Sequence, residues 1–342
     1  MKYSAGIAAA LLLFAESASA RDRVELAPYS QWVANYDADS CALQRQFGEV
    51  GRQAYLELRQ FGAGQDMQVT IASKDFDNRL GRFRVAFTPV DAEASELNGF
   101  DMRGTEEYEG KLFGYVLKRD DPEAEAAYRE FVRASPLASE EQKATILRSI
   151  DMDGESAAYA RLWRNEDFRL AALQINEAFR QTEAWRNSRD SIERDVRGIL
   201  IEDAFEDDLF LRTGNLHAPM EAMRTCLDEL SLHWGIDVEA HKSLTRSIQP
   251  LDYARLVREV QEDYPSQMAR IGMQGYLRVR LNVSADGEPT ACHMQSPIND
   301  EAFERVACDN MMRHARFAPA LDRDGKPIAS VYQTSIVYVL QR

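Results

Sequence analysis

Positive charge is scarce in this sequence, and no stretch concentrates it. The chain has 41 lysine and arginine residues against 56 aspartate and glutamate residues, which gives a formal net charge of −15 at pH 7. Nearly all of the excess negative charge lies within residues 21–250. Such a chain repels the phosphates of nucleic acids and of anionic lipids. We therefore expect neither nucleic-acid binding nor adhesion to an anionic membrane surface.

Motifs of common enzyme classes are also missing. The sequence contains no G-x-S-x-G nucleophile elbow, no phosphate-binding P-loop and no G-x-G-x-x-G fingerprint. His217 and Glu221 have the spacing of metal ligands on one helix face, but no second histidine completes an H-E-x-x-H arrangement. Asp151 begins a segment like a calcium loop, yet the closing glutamate is absent. We therefore predict no catalytic residue and no cofactor.

The remaining cation-binding candidates have simpler interpretations, and no metal site is predicted. The acidic run of residues 202–208 is typical of a solvated turn. A group of sulfur and imidazole side chains near the C-terminus has the soft ligands that suit copper. The simpler alternative is a small core filled by methionines, with the two cysteines joined in a disulfide. The side chains concerned are those of Met268, Met273, Cys292, His293, Met294, Cys308, Met311, Met312 and His314.

Long apolar runs are absent except at the N-terminus. Residues 6–15 form an apolar segment that follows Lys2 and is too short to span a bilayer. The A-x-A sequence that ends at Ala20 is typical of a signal-peptide cleavage site. We therefore predict that residues 1–20 are a signal peptide cleaved between Ala20 and Arg21, with no stable membrane insertion afterwards. The alternative is an uncleaved N-terminal anchor.

Residues 21–237 combine strand-like and helix-like patterns. Short alternating segments at residues 55–59, 67–71 and 83–87 predict an antiparallel sheet, sandwich or partial barrel. Helices are predicted from Pro122, from Ser139 and from Pro219, whereas residues 168–175 and 198–212 have strand-like composition. We interpret this stretch as a β-rich mixed α+β domain. Residues 238–263 then read as a partly helical connector.

The C-terminal stretch has the most regular pattern. Its first strand is predicted by a strict alternation of apolar and polar residues, the apolar ones being Leu277, Val279, Leu281 and Val283. Asp286 and Gly287 then predict a hairpin turn. Helical spacing covers residues 300–313, and residues 330–340 are rich in β-branched and aromatic residues. The predicted order is strand, turn, short strand, helix and long strand.

This order resembles the C-terminal domain of the TonB energy-transducer family. The matching pieces are Tyr264-Pro265, Gly275, the Asp286-Gly287 turn, the residues 316–320 (RFAPA) and Gly325-Lys326-Pro327. The resemblance covers residues 264–342 and implies a three-stranded antiparallel sheet with helices on one face. It also implies that an extended segment of a partner pairs with the edge of the last strand. The implied partner-binding residues are Val331, Tyr332, Gln333, Thr334, Ser335, Ile336, Val337 and Tyr338.

Four cysteines in an exported chain favour disulfides. Three pairings are possible, and the sequence alone does not choose among them. Cys41 and Cys226 both precede the C-terminal unit, whereas Cys292 and Cys308 both lie within it. Pairing within each domain predicts the disulfides Cys41–Cys226 and Cys292–Cys308.

Two features of a TonB energy transducer are lacking. The N-terminal segment contains no histidine, and the 11 prolines are scattered rather than gathered in a spacer. We therefore expect a periplasmic, non-catalytic binding or adaptor protein that engages an outer-membrane transporter or another envelope protein by strand addition. One alternative is a genuine transducer held in the inner membrane by an uncleaved anchor. Another is an envelope enzyme that uses the C-terminal unit for docking.

Overall fold

The structure is a computed structural model. It describes residues 23–338, apart from residues 63–66, 92, 98, 104–107, 116, 118–120, 153–155, 263–269, 271–274 and 296–300. The predicted signal peptide and its cleavage site at Ala20 and Arg21 lie outside the described residues, as do Met268 and Met273. Among the helices that are described, none is long and apolar enough to cross a membrane.

Two sheets form the β-rich N-terminal region. The first has six antiparallel strands in the order β2 (Val33–Tyr36), β3 (Cys41–Glu49), β4 (Arg52–Gln60), β5 (Met67–Ser73), β9 (Glu109–Tyr115) and β8 (Phe100–Arg103). The second has five strands in the order β1 (Arg23–Leu26), β11 (Asp208–Leu211), β10 (Gly198–Glu202), β6 (Phe83–Thr88) and β7 (Ser95–Leu97). Only β1 and β11 run parallel among the pairs of this second sheet.

One apolar core joins the two sheets, because every second residue of their strands points into it. Leu56 and Val69 of the first sheet and Val85 and Ile199 of the second are fully buried in this core. Helix α6 (His217–His233) adds a stripe of apolar side chains to the same core. The disulfide between Cys41 and Cys226 connects α6 to the first residue of β3.

The structure describes five helices between β9 and β10; the first four form a separate small core, whereas Ile192 of the fifth is buried in the core of the two sheets. The five helices are α1 (Pro122–Ala134), α2 (Glu140–Ile150), α3 (Ala157–Arg164), α4 (Glu166–Arg180) and α5 (Glu183–Asp195). The prediction of a strand at residues 168–175 is wrong, since this stretch lies within α4. Its buried residues Phe168, Ala171, Ala172 and Ile175 recur at three- and four-residue steps, and Asn165 caps the helix. The helical period therefore outweighs the β-branched and aromatic composition.

The C-terminal unit is a three-stranded antiparallel sheet covered by helices on one face. The strand order is β14 (Pro289–Met294), β13 (Gly275–Val283) and β18 (Ser330–Tyr338). Helices α8 (Tyr253–Glu262) and α9 (Glu301–His314) pack on its apolar face. The shorter elements are α7 (Val238–His241), β12 (Gln249–Pro250), β15 (Phe317–Ala318), β16 (Ala320–Leu321) and β17 (Pro327–Ile328).

Gly287 of the predicted turn contacts the backbone of Phe317, which follows α9. Its φ of +83° is a left-handed conformation that favours glycine, and its carbonyl accepts a 3.0 Å hydrogen bond from the amide of Phe317. A Cβ atom at this position would lie 2.0 Å from the carbonyl oxygen of Phe317. The turn is thereby held against the end of α9.

The predicted connector contributes to the C-terminal core. Leu256 and Val260 of α8 are buried with Leu277 and Val279 of β13. Thr245 donates its amide to the carbonyl of Leu321 at 2.9 Å, so that contacts with the C-terminal unit begin before α8. We propose that this unit starts near residue 244, about twenty residues before the boundary expected from the resemblance.

The two disulfides give a first prediction, since the structure contains the same two pairs as the sequence analysis. Replacing Cys41 and Cys226 by alanine should lower the free energy of unfolding by about 5 kcal/mol, because that bridge closes a long loop. The same change at Cys292 and Cys308 should cost about 3 kcal/mol. Equilibrium denaturation followed by circular dichroism measures both losses. A larger loss from the second pair would contradict the loop-closure argument.

Candidate partner-binding site

Strand β18 lies at one edge of the C-terminal sheet. It pairs with β13 along nine residue pairs, from Gly275 opposite Tyr338 to Val283 opposite Ser330. All of the residues predicted to bind a partner, from Val331 to Tyr338, lie in this strand. Among the strands of the described part of the chain, none pairs with its other side, which we call the outer edge.

The backbone groups of β18 that point to the outer edge can be identified from one hydrogen bond of the neighbouring strand β13. The amide of Gln295 donates to the carbonyl of Arg278 at 2.8 Å, so the backbone groups of Arg278 point toward the β14 side. Successive residues of a strand direct these groups to opposite sides. Arg278 lies opposite Ser335, and Ser335 therefore directs its N–H and C=O away from β13. The residues with this orientation are Val331, Gln333, Ser335 and Val337.

The side chains of β18 divide between two environments. Tyr332 lies on the helix side, where its ring centroid is 4.9 Å from that of Phe317. Burial, followed by the proximity of Tyr253, raises the pKa of Tyr332 to about 12. Ile336 is buried in the same core. Val331 and Gln333 face the opposite way and contact the N-terminal region. Both faces of the strand are therefore in contact with other parts of the protein.

Arg280 is the most deeply buried charged group on the polar face of the C-terminal sheet. Its side chain is 4% exposed and donates to Asp39 at 2.9 Å. The guanidinium lies 4.2 Å from the centroid of the Trp234 ring. The indole N–H of Trp234 in turn donates to the carbonyl of Ala38 at 3.1 Å. An arginine of the C-terminal sheet is thus held by an ion pair and a cation–π contact from the N-terminal region.

Phe61 forms the second part of this contact. Arg278 lies over its ring at 4.6 Å from the centroid. The carbonyl of Phe61 accepts a hydrogen bond from the side-chain amide of Gln295 at 3.2 Å and another from the side-chain amide of Gln333. Gln295 makes a further bond of 2.9 Å to the carbonyl of Asp39. We call these contacts of Asp39, Phe61 and Trp234 with the polar face of the sheet the interdomain interface.

Two histidines border the interdomain interface. Nε2 of His241 lies 3.0 Å from the hydroxyl of Ser330. His293 is on β14, where burial lowers its pKa and the positive charge of Arg280 lowers it further. The neutral form of His293 is therefore favoured beside the buried arginine.

Residues 260–340 match the family model described as the Gram-negative bacterial TonB protein C-terminal domain. The C-terminal unit is a TonB-type domain. The match confirms the resemblance seen in the sequence and covers that unit only. A comparison with curated proteins found no match to the chain. Neither comparison matches residues 23–237 to a known family.

Sequence reasoning missed the interdomain interface of the TonB-type domain. Arg278 and Arg280 occupy the polar positions of a regular alternation, and such positions usually face solvent. Asp39 lies 241 residues from Arg280 along the chain. No local pattern marks such a pair. The sequence offers one weak indication, because Arg278, Arg280 and Gln333 all lie on the polar face of the predicted sheet.

The cation-binding candidates turn out to be separate ion pairs and core residues. His217 and Glu221 are 3.6 Å apart, and Asp190 and Glu193 bring further carboxylates close to His217. However, Arg224 contacts Glu193 at 2.7 Å and neutralises it. This arrangement is better described as a partly buried ion-pair cluster around Glu193 than as a metal site.

The other candidates are also dispersed. In the acidic run, Glu202 lies 3.1 Å from Arg84, and Asp207 lies 3.9 Å from Arg52. Cys292 and Cys308 form a disulfide, which removes both thiolates. Met311 is buried in the core of the TonB-type domain. The soft side chains near the C-terminus are therefore divided between the core and the polar face of the sheet.

Arg224 gives a second prediction. The side chain of Glu193 is 3% exposed, so Arg224→Ala leaves a buried carboxylate without its closest cation. We expect the free energy of unfolding to fall by about 3 kcal/mol. Arg212→Ala is the matched control, because Arg212 and its partner Glu25 are both exposed. That control should cost less than about 1 kcal/mol. Urea denaturation measures both, and equal losses would contradict the role given to Arg224.

Proposed function

We propose that this protein is a periplasmic, non-catalytic binding protein whose TonB-type domain adds an extended segment of an envelope protein to β18. An outer-membrane transporter is the partner expected from the family. The observation that carries the proposal is the position of β18 at the edge of its sheet, where the described strands pair with it along a long register on one side and leave the other side open.

Strand addition fits the chemistry of this edge. Residues 331–338 contain no proline and no charged side chain that would block pairing with another strand. Four residues direct backbone donors and acceptors outward, and such groups supply affinity for any extended backbone. Selectivity then comes from the side chains of the added segment and their neighbours.

An adaptor is favoured over a force-transmitting transducer. A transducer needs a long spacer between its anchor and its C-terminal domain. Here a folded region precedes the TonB-type domain and contacts its sheet through Asp39 and Trp234. A TonB-type domain that is held against the folded N-terminal region does not move freely as it would at the end of a flexible spacer.

Cleavage of the N-terminus distinguishes the adaptor from the anchored transducer. We expect the mature protein in the periplasmic fraction to begin at Arg21, because the apolar segment ends in an A-x-A site. N-terminal sequencing after cell fractionation measures this. Recovery in the inner membrane with residues 1–20 retained would favour the transducer instead.

Removing the last strand is not a clean test of partner binding. Ser330–Tyr338 pairs with the whole of β13, and its Ile336 belongs to the core of the TonB-type domain. A deletion would therefore disrupt the fold together with the edge. A proline at an outward-directed position removes one outer N–H while leaving the bonds to β13 in place.

Val337→Pro is the sharper test. It should lower crosslinking to the partner about tenfold, the effect of losing one backbone hydrogen bond of about 1.4 kcal/mol. A photo-crosslinking amino acid at the exposed Ser335 would report binding in intact envelopes, with mass spectrometry to identify the product.

Val337→Ile is the matched control, since it keeps a β-branched side chain and the backbone N–H. A crosslinker at the exposed Leu80, on the N-terminal region, controls for random contact. Thermal unfolding should show the same stability for both Val337 variants. Undiminished crosslinking in the proline variant would rule out strand addition along this edge.

A further inference from the structure

The interdomain interface reaches across the full width of the C-terminal sheet. The carbonyl of Phe61 accepts hydrogen bonds from Gln295, just after β14, and from Gln333 on β18. The two glutamines also contact each other at 3.2 Å. The backbone carbonyl of Phe61 is therefore bonded to β18 and to the residue that follows β14, so that the N-terminal region reaches both sides of the sheet.

Gly62, which follows Phe61, lies so close to the side chain of Gln333 on β18 that no methyl group fits between them. A Cβ atom added to Gly62 would lie 2.1 Å from Oε1 of Gln333. Real Cβ contacts essentially never come this close, so either the glutamine or the segment would have to move. Gly62 thus allows the N-terminal region to approach the strand at Gln333.

Burial changes along the strand in the same way. Ser330 is 4% exposed and lies against His241, and Val331 packs on the core of the N-terminal region. Gln333 is half-buried beneath Phe61, whereas Ser335 is exposed. The N-terminal part of β18 is therefore covered, and the cover given by the described residues ends between Gln333 and Ser335.

An added strand would meet this cover. Side chains of paired residues on one face of a sheet lie about 5 Å apart. A partner residue opposite Gln333 would therefore direct its side chain toward the same face as Gln333, where Phe61 and Gly62 lie. A residue opposite the C-terminal part of the strand has no such neighbour among the described residues.

We infer that the N-terminal region restricts strand addition to residues 334–338, and that pairing along residues 331–333 requires the interdomain interface to open. This inference rests on the proposed function for the identity of the edge. The partner that fits the closed interface is a short extended segment of about five residues that pairs with residues 334–338.

The interdomain interface contains buried polar atoms for which the described residues supply no hydrogen-bond partner, and this favours its opening. Within the described residues, Nε of Arg278 and Nε of Arg280 are buried without a hydrogen-bond partner. Such groups lose their hydration when the interface closes and recover it when the interface opens. The gain from the Asp39 ion pair and the two aromatic contacts is thereby partly offset.

Amide hydrogen exchange of the full chain tests the restriction without any partner. Fragmentation mass spectrometry that resolves single amides should show the outward N–H groups of Val331 and Gln333 exchanging about tenfold more slowly than that of Val337. The inward amides of Tyr332, Thr334 and Ile336 bond to β13 and report on the integrity of the sheet itself.

Two variants should release the covered part of the strand. Asp39→Asn removes the ion pair with Arg280 and so weakens the interdomain interface electrostatically. Gly62→Ala introduces a steric clash that displaces the side chain of Gln333. In each, the amides of Val331 and Gln333 should exchange about tenfold faster, with the inward amides unchanged. Asp37→Asn is the matched control, since Asp37 lies in the same turn but pairs with Arg59 of the N-terminal region.

The outcomes separate this inference from the proposed function. Equal exchange of Val331, Gln333 and Val337 in the unmodified protein would overturn the restriction, even if crosslinking confirmed strand addition. Unchanged exchange in both variants would overturn it as well. Released exchange in both variants, with crosslinking insensitive to Val337→Pro, would support the covering of residues 331–333 by the N-terminal region and reject β18 as the binding site.

Discussion

The burial of Arg280 is the constraint on which the arrangement of the two halves depends. A guanidinium removed from water needs a counter-charge, and the described strands of its own sheet contain no carboxylate. Asp39 supplies the charge and Trp234 the ring, both from the N-terminal region. Separating the halves would rehydrate all three groups, whereas removing only one would leave another buried without its partner.

Strand β13 connects this contact to the candidate site. Its apolar residues, among them Leu277 and Val279, face the helices α8 and α9, and its arginines face the N-terminal region. Both faces of the sheet are therefore occupied. Among the described strands, the edges of this sheet are the parts open to backbone pairing, and β18 is the edge with the longer register. The proposed strand addition uses that edge rather than a face of the sheet.

Local periodicity was sufficient to predict the secondary structure of the TonB-type domain. The expected strand with the alternating residues Leu277 to Val283 and the expected helix at residues 300–313 correspond to Gly275–Val283 and Glu301–His314. Alternation and helical spacing are short-range signals, so they survive in a single sequence. The strand expected at residues 168–175 failed because composition was given more weight than period.

The position of one domain against the other could not be predicted in this way. The pair of Asp39 and Arg280 spans 241 residues, and each residue in isolation has an ordinary place in a turn or a strand. Their side chains meet only after both sheets have formed. The core residues of the C-terminal sheet follow from local periodicity, and the edge strand was implied by the family resemblance, whereas no local signal marks the residues of the N-terminal region that cover this strand.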